Sequence, residues 1–123
     1  MSREIFFILS RAVITLSFLG SVRFALADIS GEWNFSLNVQ GQSGSAVANI
    51  RQNNEDIEGT YVGQRFGTVD FTGTMIDGEL DFQLELEAGL IIYEGQTQDD
   101  GSIKGTADLA GMAVASFVAI KAD

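Results

Sequence analysis

"FTGTMIDGELDFQLELE", residues 71–87, alternates between apolar and polar positions on both sides of Asp77-Gly78. An Asp-Gly pair between two alternating runs predicts a two-residue type I′ turn, because both turn positions need a positive φ that Asp and Gly tolerate. The resulting register puts every apolar side chain on one face of a β-hairpin and leaves the other face mainly acidic. The predicted partners on the apolar face are Met75 and Leu80, Gly73 and Phe82, Phe71 and Leu84, and Val69 and Leu86.

Short alternating runs of the same kind fill the chain from residue 31 to residue 121, and turn-forming residues separate them. Eight such runs, spaced by about ten residues and without a helical period, are typical of an all-β meander. We predict an eight-stranded antiparallel up-and-down β-barrel, with a β-sandwich as the alternative. The predicted strands are 31–39, 45–52, 57–62, 68–76, 79–87, 90–98, 102–109 and 114–121.

A weak glycine repeat favours closure of the barrel. The segments "IEGTY", "FTGTM" and "IKGTA" each place an apolar residue two positions before a glycine. The register puts these glycines on the inner side, where they let coiled strands bend without crowding the interior. The inner glycines are Gly31, Gly59, Gly73, Gly95 and Gly105. The predicted lining is Trp33, Phe35, Leu37, Ile50, Tyr61, Phe71, Met75, Leu80, Phe82, Leu84, Leu86, Ile91, Tyr93, Ile103 and Leu109.

The later turns extend the same register along the chain. A turn at Ala88-Gly89 places Ile91 opposite Leu86, and a three-residue loop over residues 99–101, with Gly101 in the left-handed conformation, follows the sixth strand. The second and eighth strands do not reveal their inner face, because neighbouring positions are apolar on both sides. Those ambiguous pairs are Val47 with Ala48, and Phe117 with Val118.

The first 27 residues have the layout of a secretory signal peptide. A basic start precedes an apolar run over residues 12–22, and the small-x-small triplet Ala25-Leu26-Ala27 follows. The apolar run is too short for a transmembrane helix, although an uncleaved anchor is the alternative. We predict a signal peptide helix over residues 1–27 that is cleaved after Ala27, a single domain over residues 28–123, and a periplasmic or secreted location.

Charge and composition exclude several kinds of function. Residues 28–123 hold four of the seven basic side chains and 16 of the 17 acidic ones, which gives a net charge of −12. Such a surface repels nucleic acid and anionic lipid heads, and it favours solubility or cationic partners. The chain has no cysteine for a disulfide, and no histidine to act as a base or metal ligand. We therefore predict no enzyme activity, no catalytic residue, no cofactor and no nucleic-acid partner.

A membrane-spanning barrel would reverse the faces, because its apolar side chains point outward to lipid. The interior would then hold the acidic face of residues 79–87, and the chain has few basic side chains to neutralise it. Burying unpaired carboxylates costs several kcal/mol each. We therefore predict that the apolar face points inward and that the domain does not insert into a membrane.

The interior of an eight-stranded barrel can be filled by side chains or can hold one small ligand. Trp33, Tyr61 and Tyr93 each combine an apolar body with a polar tip, so we predict that they bind such a ligand. Their alternative role is that of ordinary core aromatics. In the loop "GQRFGT", residues 63–68, Arg65 and Phe66 stand between glycines, and we predict that they contact a protein partner.

Two turns carry oxygen ligands of the kind that Ca²⁺ prefers. They are "NNED" at residues 53–56 and "DDG" at residues 99–101. Neither has the length or the ligand spacing of a dedicated calcium loop, and both are sufficient as turns without a metal. We therefore predict no metal site.

The segment "ISGEWNF" carries Gly31-Glu32-Trp33 and resembles the calycin superfamily of small antiparallel barrels, the lipocalins and avidins, whose first strand opens with Gly-x-Trp. "IEGTY", from Ile57, is similar to the third-strand pattern of avidins. The resemblance implies that a basic residue packs on Trp33, either Lys121 from the final strand or Arg51. Avidin-like biotin sites are walled by several tryptophans, and this chain has one, so biotin binding is not implied.

These expectations describe an exported, non-enzymatic β-barrel binding module, with a small apolar ligand as the first candidate partner. The alternative is a protein-interaction or inhibitor domain of the cell envelope that acts through its loops and has a filled core.

Overall fold

The computed structural model describes residues 28–64 and 67–122, and these residues form a closed, eight-stranded, up-and-down antiparallel barrel. Each strand pairs with the next along the chain, and the last pairs with the first. The predicted fold class is therefore confirmed for the barrel. The strands are β1 (Gly31–Val39), β2 (Gln42–Asn53), β3 (Asp56–Gly63), β4 (Gly67–Ile76), β5 (Glu79–Leu86), β6 (Gly89–Thr97), β7 (Ile103–Leu109) and β8 (Ala113–Lys121).

The β4–β5 hairpin has the predicted turn. Asp77 and Gly78 have φ values of 51° and 81°, and Gly73 pairs with Phe82 as the sequence indicated. The loop between β6 and β7 also forms as predicted, with Gly101 at a φ of 90° and Gln98 N–H donating to Ser102 O at 2.8 Å. Local sequence was sufficient in both cases, because each turn depends on a residue that tolerates a positive φ.

The predicted turn at Ala88-Gly89 is wrong by one position. The turn residues are Glu87 and Ala88, so that Leu86 pairs with Gly89 and not with Ile91. Gly89 lies at the first position of β6 with a φ of 134°, a conformation that favours glycine. The inner face is unchanged, because moving the turn by one residue shifts the pairing by two positions.

Three glycines mark sharp bends of the barrel wall. A Cβ added at Gly59, Gly73 or Gly105 would come within 1.8 to 2.0 Å of a backbone oxygen on the neighbouring strand. Glycine kinks of this kind close small barrels. Each kink glycine has a phenylalanine directly opposite on a neighbouring strand. The opposed pairs are Gly59 with Phe71, Gly73 with Phe82, and Gly105 with Phe117.

The apolar side chains form one core inside the barrel, as the hairpin pattern predicted. The structure also resolves the two ambiguous strands: Ala48 and Phe117 point inward, while Val47 and Val118 face outward and are half-buried. Four of the predicted lining residues are only half-buried and lie toward one end of the barrel. They are Leu37, Leu86, Ile91 and Leu109.

The β4–β5 ladder is shorter than the sequence predicted. The pairing runs from Ile76 with Glu79 to Thr72 with Gln83 and stops there. The predicted pairs of Phe71 with Leu84 and of Val69 with Leu86 are therefore not part of the ladder. Residues 67–71 instead pair only with β3, and residues 84–86 pair only with β6, among the described residues.

Three predictions lie outside the described residues: the signal peptide over residues 1–27, and the partner-binding roles of Arg65 and Phe66. In the part of the chain that the structure describes, no helix is long and apolar enough to cross a membrane.

Candidate functional site

Among the described residues, six aromatic rings in one network of contacts occupy the centre of the barrel. Phe35, which is 1% exposed, is the hub: its ring centroid lies 5.8 Å from that of Tyr61 and 5.3 Å from that of Phe117. Such edge and offset contacts are favourable beyond the area that they bury. The six rings are those of Phe35, Tyr61, Phe71, Phe82, Tyr93 and Phe117.

Two of the three predicted ligand-binding residues meet in this cluster. The hydroxyl groups of Tyr61 and Tyr93 are hydrogen-bonded to each other, and both side chains are buried. The Tyr93 ring also stacks on Phe82, with the centroids 4.6 Å apart and the planes 6° from parallel. A buried hydroxyl needs a partner, and each tyrosine supplies one to the other. The polar tips that were predicted to hold a ligand are thus engaged inside the protein.

Burial keeps both phenols neutral. Desolvation raises the pKa of Tyr93 above its ordinary value, and the nearby Tyr61 raises it further. Burial also raises the pKa of Tyr61, although the hydrogen bond with Tyr93 opposes that shift. The charged form of a phenol is disfavoured in an apolar environment, which is the dominant cause in both residues.

We expect the folded protein to show no phenolate absorbance as the pH passes 10, the ordinary pKa of tyrosine. Both tyrosines of the chain belong to this pair. Because their pKa values are raised by folding, the unfolded state gains ionisation free energy above about pH 10, and stability falls as the pH rises further. Ultraviolet titration with circular dichroism checks this, with denaturant-unfolded protein as the control. Reversible ionisation near pH 10 with an intact β spectrum would contradict it.

Trp33, the third predicted ligand-binding residue, lies at the end of the barrel where β1 begins and β8 ends. Its indole Nε1–H donates to Ile29 O at 2.8 Å, so its polar tip is also satisfied internally. Lys121 pairs with Trp33 in the sheet, and its stem passes 2.8 Å from the position of a Cβ on Gly31. Arg51 instead faces Glu58, with Nε 3.8 Å from Oε2. Lys121, and not Arg51, therefore lies beside Trp33.

A solvent-open groove of about 710 Å³ lies at this end of the barrel, between the start of β1 and the β6–β7 loop. Asp100 in that loop accepts hydrogen bonds from Ser102 N–H at 2.9 Å and Ser102 Oγ–H at 2.6 Å. These bonds hold the pKa of Asp100 below its usual value. The carboxylate therefore has a structural role in the turn. Among the described residues, no group of three or more acidic side chains is placed to hold a metal ion.

The outer face carries polar side chains along most of the barrel, but it also exposes several large apolar ones. The most exposed are Met112, at 77%, and Val114 and Ile120 on β8; the others are Val62, Ile76 and Leu90. A second solvent-open groove, of about 760 Å³, crosses the outer face of β3, β4 and β5. Binding to the outside of the barrel therefore has both apolar side chains and grooves available.

Sequence reasoning missed one member of the aromatic cluster, Phe117, although a signal was present. A large aromatic opposite a strand glycine is a stabilising pair; the turn register gives Phe82 opposite Gly73, and Phe117 lies opposite Gly105 in the same way. The tip of the Phe117 ring also lies over Gly95, 2.8 Å from where a Cβ would be.

No protein-family model matches the chain, and comparison with curated proteins finds no match either. The class of the protein therefore follows from the structure alone: a closed, eight-stranded, up-and-down antiparallel β-barrel with an aromatic core.

Proposed function

We propose that this protein is an exported, non-enzymatic binding module that recognises a protein partner on the outside of a filled barrel. One observation carries the proposal: the rings at the barrel centre contact one another, and the hydroxyls of Tyr61 and Tyr93 satisfy each other. A ligand in that space would have to separate the rings and break this hydrogen bond. Binding on the outside of the barrel needs no such rearrangement.

Burial supports the choice of the outer surface. Phe35, Leu80 and Leu84 are almost completely buried, and close-packed interiors of this kind hold few voids larger than a water molecule. Small-molecule sites are typically cavities of about 300 to 1,000 Å³. Spaces of that size occur at the barrel end beside Trp33, where the groove measures about 710 Å³, and on the outer face, where it measures about 760 Å³. Both grooves are open to solvent, which suits a polypeptide better than an enclosed small molecule.

The surface charge indicates the chemistry of the partner. Acidic side chains alternate along the outer face of β5 at Glu79, Asp81 and Glu85, and none of them is buried. Complementary charge raises association rates and selects partners, so a cationic protein surface is favoured over nucleic acid or an anionic membrane.

The resemblance to calycins fits the same proposal. The closed meander and the position of Lys121 beside Trp33 are compatible with a calycin-like barrel. We propose a periplasmic or secreted location on the basis of residues 1–27. Arg65 and Phe66 remain predicted partner-binding residues on the β3–β4 connection.

Native mass spectrometry of the protein purified from its own host tests whether the interior is filled. We expect a bare polypeptide mass, and organic extraction should release no stoichiometric small molecule. A bound small molecule that is lost in a Tyr93→Ala variant, but retained in a Met112→Ala variant, would overturn the proposal. The Met112 variant is a matched control because its side chain is exposed and lies outside the aromatic cluster.

A second candidate function, binding of a small apolar ligand, is favoured by one end of the barrel. There the apolar side chains are only half-buried and pack against the core from the barrel end opposite Trp33. A ligand could cover this end without entering the aromatic cluster. The same mass measurement distinguishes this mode, because binding of such a ligand would be retained in Tyr93→Ala and lost on substitution at the half-buried end. The half-buried apolar residues at that end are Leu37, Val39, Val69, Ile91 and Leu109.

A further inference from the structure

The barrel wall has a seam where two neighbouring strands stop pairing. β4 and β5 are joined by a ladder from Ile76 with Glu79 to Thr72 with Gln83. Beyond that point, residues 67–71 keep partners on β3 alone, and residues 84–86 keep partners on β6 alone, among the described residues. We call these two facing segments the β4–β5 seam. Sheet edges of this kind are templates for the addition of another strand.

The backbone groups that face the seam can be identified from the alternation of the strand. Met75 N–H donates to Glu55 O at 2.8 Å, which is on the β3 side of β4. Successive residues of a strand direct their N–H and C=O groups to opposite sides, so the even-numbered residues of β4 face β5. Past the end of the ladder these are Thr68 and Asp70. On the other side of the seam the corresponding residue is Glu85.

Side chains close the seam from inside. Phe71 and Leu84, the first inward residues beyond the ladder, are buried in the core, and Val69 and Leu86 are half-buried nearer the barrel end. The seam is therefore a shallow channel with an apolar floor and does not lead into the barrel interior. The groove of about 760 Å³ on the outer face runs across it.

The two sides of the seam are acidic. Asp70 and Glu85 are exposed there and line the groove, which also contains Glu58 and the Arg51 that faces it, so the groove as a whole is negatively charged. Charge repulsion is not a sufficient reason for the missing pairs, because Asp81 and Glu94 face each other within an unbroken ladder. The pairing instead ends beside the kink at Gly73, beyond which β4 follows β3.

We propose that the β4–β5 seam binds an extended, cationic segment of a protein partner by strand addition. This inference rests on the proposed function and specifies the site and the partner chemistry. The backbone of the segment pairs with the seam-facing groups of Thr68 and Asp70 on β4 and of Glu85 on β5. Its alternate side chains are basic, facing Asp70 and Glu85, and apolar, facing Val69 and Leu86. Main-chain pairing supplies the affinity in such complexes, and alternate side chains supply specificity.

A short synthetic peptide of alternating Lys and Val is the probe. We expect it to bind the purified protein with an affinity that falls as salt is added, and to slow hydrogen exchange at the amides of Thr68, Asp70 and Glu85. The same peptide with N-methylated backbone amides keeps its charges but cannot pair, so we expect it not to bind. Equal binding of the methylated peptide would show that the interaction is only electrostatic and would overturn the proposal.

Two double variants with the same charge change locate the site. Asp70→Asn with Glu85→Gln should weaken peptide binding about fivefold, as expected for two solvent-exposed charge pairs. Asp81→Asn with Glu94→Gln, in the intact ladder, should change it less than twofold. Equal weakening in both would refute binding at the seam. A native partner that binds both double variants equally would refute the seam and leave the proposed function standing, whereas a small molecule found in the interior would refute the proposed function itself.

Discussion

Gly105→Ala should abolish or nearly abolish the native barrel. A Cβ at this position would lie 1.9 Å from Glu94 O and 2.5 Å from Gly95 Cα, both on the neighbouring strand β6. These are backbone atoms, and Glu94 belongs to the β6–β7 ladder, so neither can move without breaking the pairing. We expect a loss of at least about 3 kcal/mol in the free energy of unfolding. A domain of this size has few kcal/mol to lose.

Gly44→Ala is the matched control for this prediction. Gly44 is also a strand glycine without a positive φ, but no atom lies within 4 Å of its Cβ position. We expect its stability to change by less than about 1 kcal/mol, in the stabilising direction, because alanine lowers the entropy of the unfolded chain. Urea unfolding of both variants, followed by circular dichroism, makes the comparison. Similar urea midpoints for the two variants would contradict the prediction that the β6 backbone leaves no room for a side chain at Gly105.

Phe35→Ala should produce the largest loss of stability among the side-chain truncations of the aromatic core. The Phe35 ring contacts four other rings of the cluster, and the side chain is almost completely buried. Removing a buried phenylalanine typically costs about 3 to 5 kcal/mol, because the transfer free energy is lost and a cavity remains. Met112→Ala removes an exposed apolar side chain and should cost less than about 0.5 kcal/mol.

The same variant tests whether the interior is filled. An apolar cavity created by truncation can take up a small arene such as benzene. We expect benzene to raise the unfolding temperature of Phe35→Ala and to leave that of the wild-type protein unchanged. Stabilisation of the wild-type protein to the same extent would mean that the interior already has room for a ligand, and would favour the second candidate function over the first.

Two parts of the molecule should respond differently to substitution. The kink at Gly105 and the cluster around Phe35 maintain the barrel, and their substitution should change stability first. Asp70 and Glu85 are exposed and lie at the unpaired seam, so their substitution should change binding while the fold is kept. A protein whose function resides on its surface is expected to show this division.

The hairpin of residues 71–87 was predictable because its information is local. The turn at Asp77-Gly78 and the alternation on either side were sufficient to place Phe82 opposite Gly73, and the structure confirms both. The turn after β5 was predicted one residue too late, because Gly89 lies just after a turn and not within it. A positive φ at glycine marks a bend but does not fix which position of the bend the glycine takes.

The candidate site was less accessible from the sequence than the fold. Burial of Trp33, Tyr61 and Tyr93 could be inferred from the alternation of their strands. The hydrogen bond between the two tyrosines could not be inferred, because they are 32 positions apart in the sequence. The inward orientation of Phe117 was hidden because its strand is apolar on both faces. A strand of that kind obtains its orientation from the neighbours with which it pairs, and β8 pairs with both β1 and β7.

The sequence by itself determined the eight strands, the faces of those that alternate, and the acidic outer surface, because a period of two residues and a turn residue act over short distances. Only the tertiary structure decided that Tyr61 and Tyr93 satisfy each other, that Lys121 lies beside Trp33, and where the β4–β5 ladder ends. Those features depend on how far the whole sheet coils before it closes. That coiling is completed by pairing between strands distant in sequence, β1 and β8, which closes the barrel.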